Sequence, residues 1–412
     1  MCPLPFIGYN DTQDGESSAH ARKACIHRNH IKDFQLNEDF TVAVKEIDVR
    51  DVSDKTYRAA IGALELARWV EEDHLVKFIV GFKTPERHYL IFQWADGGNL
   101  FQIWKSSQRC SNQLIHWAIE QMESIARGLE KLHNFDPSGI FYHGDLKPEN
   151  VFVSTRPGHL GDLQIADMGS ARAYLTRMGL GEAETMPFAG TIRYRPPEMK
   201  NSHADGNPRG HDIWSMGCMI LEFIIWILYG PDGLEIFNGS FDNAARPFFG
   251  VDRGHGPLQH NVSNWIRHLR ETCFGDDCAS RALRDLLDFV HTKILVEDDG
   301  IENNKQLANT RRQNSLSPPR LLSTPTTTRK NLRLRQRRAD ISDLNEAFEQ
   351  ILSNKEADYF YCEGPAIKDS WELVLKSRIL HGRMEKRTTG PEVPTHSSSP
   401  STILPILAQR KQ

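Results

Sequence analysis

The chain has 412 residues, of which 39% are hydrophobic and 25% charged, so neither a membrane-spanning array nor a wholly disordered chain fits. Seven cysteines, an odd number without a Cys-x-x-Cys pair, argue against a disulfide framework and a zinc module and predict a reducing, intracellular setting, cytoplasmic or nuclear. The net charge of −4 is unevenly spread, because residues 303 to 338 hold ten Lys or Arg and no acid and leave −14 on the remainder.

MCPLPFIGYN lacks a charged start followed by an apolar run, so no secretory signal is expected. The first half then reads as strands. TVAVKEI (41–47), LVKFIVGF (75–82) and HYLIFQW (88–94) are rich in β-branched and aromatic residues, and a KTPER turn joins the last two. Between the first two, TYRAAIGALELARWVEE (56–72) repeats Ala60, Leu64 and Ala67 at helical spacing and predicts one helix on the sheet. Paired glycines in ADGGNL (95–100) break the pattern and suit a hinge. Beyond it SNQLIHWAIEQMESIARGLEKLHN (111–134) opens on a cap and carries an apolar stripe from Leu114 to Leu132. Short strands are expected at VFVS (151–154) and just before Asp167, and helices at 214–229, 262–272, 281–294, 340–352 and 368–380. The run WSMGCMILEFIIWILYG (214–230), interrupted by Glu222 and marginal for a bilayer, predicts a buried core helix and no membrane partner. A stretch at about 297–337, rich in Ser, Thr, Pro and Arg, reads as a disordered basic insert, a solvated linker with no specific nucleic-acid binding; 384–412 reads as a disordered tail. Short basic and proline-directed patterns mark Ser315, Ser317 and Thr324 of the insert for phosphorylation.

The chemistry concentrates in FYHGDLKPEN (141–150). An aspartate near a substrate hydroxyl accepts its proton, a lysine two residues on neutralises a transferred phosphate, and an amide three further holds a metal ion, so Asp145, Lys147 and Asn150 suit phosphoryl transfer. Magnesium needs a carboxylate as well, which Asp167 in LQIADMGS supplies, and Lys45 in VAVKEI is placed to grip the inner phosphates of a nucleotide.

These motifs, in this order, resemble the eukaryotic protein kinase family. HGDLKPEN is similar to its catalytic loop, ADMG to its metal-binding triplet and VAVK to its third-strand lysine. GTIRYRPPE (190–198) is similar to the end of its activation segment, and DIWSMGC (212–218) to the start of its central helix. The likeness covers roughly residues 1 to 383 and implies an α+β, two-lobe fold. Residues 1–94 would form a small β-rich N-lobe with one main helix, and 95–383 a larger, mainly helical C-lobe. It further implies ATP and Mg²⁺ as cofactors and a protein substrate, with Asp145 as base, Lys147 on the transferred phosphate, Asn150 and Asp167 as magnesium ligands and Lys45 on the α and β phosphates. By the same resemblance Phe92 is the gatekeeper, Gln93 to Ala95 face adenine, Asn99 lies near the ribose, Asp212 braces the catalytic loop and Glu198 pairs with Arg338. Lys147 together with Thr191 is similar to serine/threonine kinases, and the WADGGNL hinge resembles kinase-like proteins of filamentous fungi.

Three departures stand out. Gly144 replaces the arginine that in many kinases receives an activation-loop phosphate, so activity independent of phosphate at Thr176, Thr185 or Thr191 is expected. The stretch DGESSAHARKACIH (14–27) offers only Gly15 for a glycine-rich loop, with Ser17 and His20 where further glycines would stand. The helix glutamate that would anchor Lys45 is either Glu65 or absent, with Ala60 in its place. Two readings follow: an active, atypical serine/threonine kinase, or a pseudokinase acting as scaffold or switch.

Overall fold

The computed structural model describes residues 6–11, 20–27, 40–50, 54–68, 70, 72–106, 110–134, 142–155, 160–167, 191–200, 208–241, 246–250, 258–273, 280–298, 337–356 and 358–362. Strand alternation shapes the first lobe. In β3 (Phe40–Asp48) Val42 and Val44 turn to one face, against Ala24, Ile26, Tyr89 and Ile91, which puts Ala43, Lys45 and Ile47 on the other. Strands β1 (Phe6–Asp11), β2 (His20–Ile26), β4 (Phe78–Lys83) and β5 (Arg87–Gln93) complete an antiparallel sheet of order β1-β2-β3-β5-β4. Helix α1 (Asp54–Ala67) lays Tyr57, Ile61, Leu64 and Ala67 over the second face, where Phe78, Leu90 and Phe92 meet them.

β1 and β2 were not visible in the sequence, because Arg22 and Lys23 interrupt any apolar alternation; a full ladder from His20 opposite Glu46 to Ile26 opposite Phe40 carries β2 instead. Thus the second half of the stretch read for glycines is strand, while Gly15 and Ser17 lie outside the described residues. β4 starts three residues later than expected, since Leu75 and Val76 are spent elsewhere. The Val76 N–H donates to the Ile165 carbonyl at 2.8 Å, and the Ile165 N–H to the His74 carbonyl at 2.8 Å. Ile165 belongs to the second lobe, so this short parallel bridge fastens the lobes together. α1 ends at Ala67, five residues before the expected limit, for the same reason: the chain must turn to reach that bridge.

The second lobe is mainly helical. It holds α2 (Leu100–Ile103), α3 (Asn112–Asn134), the hairpin β6 (Val151–Ser154) and β7 (Asp162–Ile165), α4 (Pro208–Gly239), α5 (His260–His268), α6 (Arg281–Phe289) and α7 (Ile341–Leu352). α4 begins six residues before the expected start and resumes after a break at Gly230, whose φ of 67° suits glycine, followed by Pro231. It is apolar all round and long enough to cross a membrane, yet 89% of its most apolar window is buried among other residues, as a core helix requires. Trp214, Phe223, Trp226, Phe237, Phe248 and Trp265 fill the core around it. The regions 299–336 and 363–412, including Ser315, Ser317, Thr324 and the expected helix at 368–380, lie outside the described residues.

Arg338, 2% exposed, uses all five of its N–H donors. They reach both oxygens of Glu198, one of them at 3.1 Å, and the carbonyls of Ile294 at 3.0 Å, Gly210 at 3.0 Å and Val296 at 2.7 Å. The guanidinium also lies 5.0 Å over the Trp214 ring. Removing one member of a buried, fully bonded pair strands the other, so Arg338→Ala is expected to lose about 3–5 kcal/mol of stability in chemical denaturation. A loss within experimental error would contradict this arrangement.

Candidate active site

Asp212, in α4 and wholly buried, organises the loop between α3 and β6. Its Oδ2 accepts the His143 N–H at 2.7 Å and meets His133 Nε2, at the end of α3, at 2.8 Å; its Oδ1 accepts the Gly144 N–H at 2.8 Å. Burial opposes the charge on Asp212, but the His133 hydrogen bond and the neighbouring His143 and His211 rings outweigh it and hold the carboxyl below its ordinary range. Gly144 sits at φ 80°, a conformation in which any side chain is strained.

From that anchor the loop reaches β7. The Asp145 N–H donates to His143 Nδ1 at 3.2 Å, so the ring proton sits on Nε2 and is donated to the Ala166 carbonyl at 2.8 Å. The Ala166 N–H in turn donates to the Asn150 carbonyl at 2.8 Å. These bonds fix Asp145 and Asp167, which flank His143 and Ala166, on two facing segments.

Around Asp145 the polar groups converge. Its Oδ1 accepts the Thr191 N–H at 2.8 Å, and its Oδ2 accepts Lys147 Nζ at 3.1 Å and Asn150 Nδ2 at 3.2 Å. Asn150 Nδ2 also donates to the Asp145 carbonyl at 2.8 Å, and Lys147 Nζ to Thr191 Oγ1 at 2.8 Å. The nitrogen of Asn150 is therefore committed, which leaves its carboxamide oxygen for a cation.

Asp167 adopts φ 60°, an uncommon conformation for a residue with a side chain and one that clusters at functional sites. Its Oδ1 accepts Lys45 Nζ at 2.7 Å across the gap between the lobes. Burial works against this carboxylate, but Lys45, by charge and by hydrogen bond, with His143 and Lys147 behind it, holds it below its ordinary range.

The remaining expected positions are distributed. Phe92 is buried edge-to-face on Phe78 at 5.5 Å. Gln93 ends β5, its N–H donating to the Lys77 carbonyl at 2.9 Å, and Ala95 is buried just beyond. Asn99 caps α2, its Oδ1 accepting the Gln102 N–H at 2.9 Å, so that oxygen has a structural task. Glu198 lies with Arg338, away from the Asp145 cluster. Glu65 is exposed on α1, Ala60 offers no carboxylate, and Lys45 finds its anchor in Asp167.

Residues 31–287 match the protein kinase domain family. The chain belongs to the protein kinase family. It is 26% identical over 253 residues to the mitogen-activated protein kinase kinase kinase nsy-1 of Caenorhabditis elegans, covering 60% of this chain and 15% of that protein. Over 192 residues it is 29% identical to the serine/threonine-protein kinase Nek3 of Mus musculus, 46% of this chain and 34% of the other. A calcium/calmodulin-dependent protein kinase of Metarhizium anisopliae is 28% identical over 193 residues, 46% of this chain and 45% of that one. The chain thus spans less than half the length of these relatives. The kinase match begins after β1 and β2 and stops within α6, so β1, β2 and Arg338 lie outside it.

Three histidines of this kinase-like site are buried, His133, His143 and His211, and the sequence alone assigns none of them a role. A histidine closing the apolar stripe of α3 and two beside motif aspartates were the available signals. His211 is pushed down to about 4 from 6.5, chiefly by burial, with the Asp212 and Asp145 carboxylates pulling the other way. The unfolded chain takes up that proton near 6.5 and the folded chain only near 4, so stability falls as pH drops through that window and levels off below it. The span corresponds to roughly 3 kcal/mol, and His211→Asn is expected to flatten that part of a stability-versus-pH curve. An unchanged slope in the variant would assign it to other groups.

Proposed function

We propose that the chain transfers the γ-phosphoryl group of ATP to serine or threonine hydroxyls of protein substrates in an intracellular setting, cytoplasmic or nuclear. Residues 1–94 and 95–383 serve as its two lobes. The observation that carries this reading is the convergence of Asp145, Lys147, Asn150 and Thr191 in one bonded cluster beside the Lys45–Asp167 pair.

Asp145, oriented by the Thr191 N–H and by Lys147, accepts the proton of the attacking hydroxyl. Lys147 offers its ammonium to the charge that builds on the transferred phosphoryl oxygens. Lys45 exchanges part of its contact with Asp167 for the α and β phosphates, while Gln93 and Ala95 face the adenine and Asn99 lies near the ribose. Thr191 holds the loop closed on the substrate side, Asp212 keeps the base in place, and the Glu198–Arg338 pair steadies the segment that follows.

The donor set fits magnesium: a carboxylate at Asp167 and the carboxamide oxygen of Asn150 are hard oxygen ligands, which Mg²⁺ takes in ones and twos beside phosphates and waters. When bound, the ion supplies charge neutralisation on the phosphate oxygens.

A second reading, a pseudokinase scaffold, is favoured by one observation: no acid of α1 reaches Lys45 among the described residues, because Glu65 is exposed. Catalysis separates the two. Asp145→Asn is expected to lower phosphoryl transfer to a mixed Ser/Thr peptide substrate about 10²–10⁴-fold while leaving ATP affinity in place. Prior phosphatase treatment should leave the wild-type rate unchanged, since Gly144 offers no cation to an activation-segment phosphate. Wild-type protein that binds ATP without transferring phosphate would support the scaffold.

A further inference from the structure

Cys110, two residues before α3, and Cys362, at the far end of the described chain, stand in contact, thiol to thiol, through a hydrogen bond. The approach is built from both sides. The Cys362 N–H donates to Asn112 Oδ1 at 3.2 Å, and the Phe360 ring lies 5.0 Å from His116 on the same helix. Tyr359 is fastened to α6: its carbonyl accepts the Ala282 N–H at 3.1 Å and the Ser280 hydroxyl at 3.2 Å, and its own hydroxyl donates to Asp285 at 2.7 Å. The segment carrying Cys362 is thus held against the start of α3, two residues from Cys110. Cys110 is partly exposed and Cys362 is 8% exposed, an outer and an inner thiol. The Cys110 hydrogen bond lowers the Cys362 thiol against the opposing effect of burial, whereas burial pushes Cys218, inside α4, well up.

We propose that Cys110 and Cys362 form a dithiol–disulfide modification site, closed by exchange with a small-molecule disulfide. In the singly deprotonated pair Cys110 passes its proton along the hydrogen bond to the Cys362 sulfur and attacks one sulfur of the small disulfide, breaking its S–S bond and releasing one thiolate. That thiolate takes the proton from Cys362. The freed Cys362 sulfur then attacks Cys110 in the mixed disulfide and expels the second thiolate, which recovers from solvent the proton Cys362 had given up. Two protein thiols are oxidised to one disulfide and one small disulfide is reduced to two thiols. Closure ties the segment carrying Tyr359, and with it the start of α6, to the start of α3, and by restricting the unfolded chain it raises thermal stability.

The test is non-reducing peptide mapping of the full chain, first reduced, then incubated with glutathione disulfide. The expected product is a Cys110–Cys362 linked peptide pair, formed while Cys218 stays reduced. In Cys362→Ser glutathione should remain trapped on Cys110, and in Cys110→Ser Cys362 should react far more slowly. Stable glutathione on Cys110 of the wild-type chain, a bridge from Cys110 to a different cysteine, or no oxidation of either thiol under conditions that modify Cys25 would each overturn the proposal. The wild-type map decides the matter without either variant.

Discussion

One carboxylate without exposed surface holds the candidate site in shape. Asp212 draws together the end of α3 through His133, the loop through the N–H groups of His143 and Gly144, and α4, on which it stands. A buried carboxylate left without donors would be costly, so the three elements are bound to it as much as it is to them. Gly144 takes part because its φ of 80° lets the N–H turn inward without strain on a side chain. From this point hydrogen bonds lead outward through the His143 ring to Ala166, and Asp145 and Asp167 inherit their positions from that chain.

The lobes are joined by both apolar and polar contacts. Leu132 of α3 and Ala166 belong to the same buried cluster as Leu64, Phe78 and Phe92 of the first lobe, and the Leu75–Ile165 bridge adds backbone bonds. Beside that apolar seam, Lys45 meets Asp167 at 2.7 Å. Both side chains keep some exposure, 24% and 34%, so the pair is screened and contributes little to stability by itself. In the proposed function its importance is positional: an amine from one lobe and a carboxylate from the other would receive a polyphosphate and its cation between them.

Much of this was legible in the sequence. The alternation in TVAVKEI set the facing of Lys45, the apolar stripe of α3 set its buried side, and the polar spacing of FYHGDLKPEN set the cluster around Asp145. Arg338 was identified as the partner of Glu198 although it ends a basic run, and the structure places it there with every donor used. What could not be read depends on tertiary pairing. β2 is carried by its ladder with β3, the early ends of α1 and the late start of β4 follow from the bridge to Ile165, and the meeting of Cys110 with Cys362 joins residues at opposite ends of the second lobe. The anchor of Lys45 is likewise a tertiary matter, because the packing of α1 turns Glu65 outward and leaves Asp167 as the carboxylate that meets the amine.

The central claim is that Lys45 and Asp167 share a triphosphate and a divalent cation. Calorimetric titration of the protein with ATP, with and without Mg²⁺, addresses it directly. The account predicts that Mg²⁺ strengthens binding by about tenfold or more, roughly 1.4 kcal/mol, and that Asp167→Asn abolishes the gain. ATP binding indifferent to Mg²⁺, or no binding at millimolar nucleotide, would contradict it.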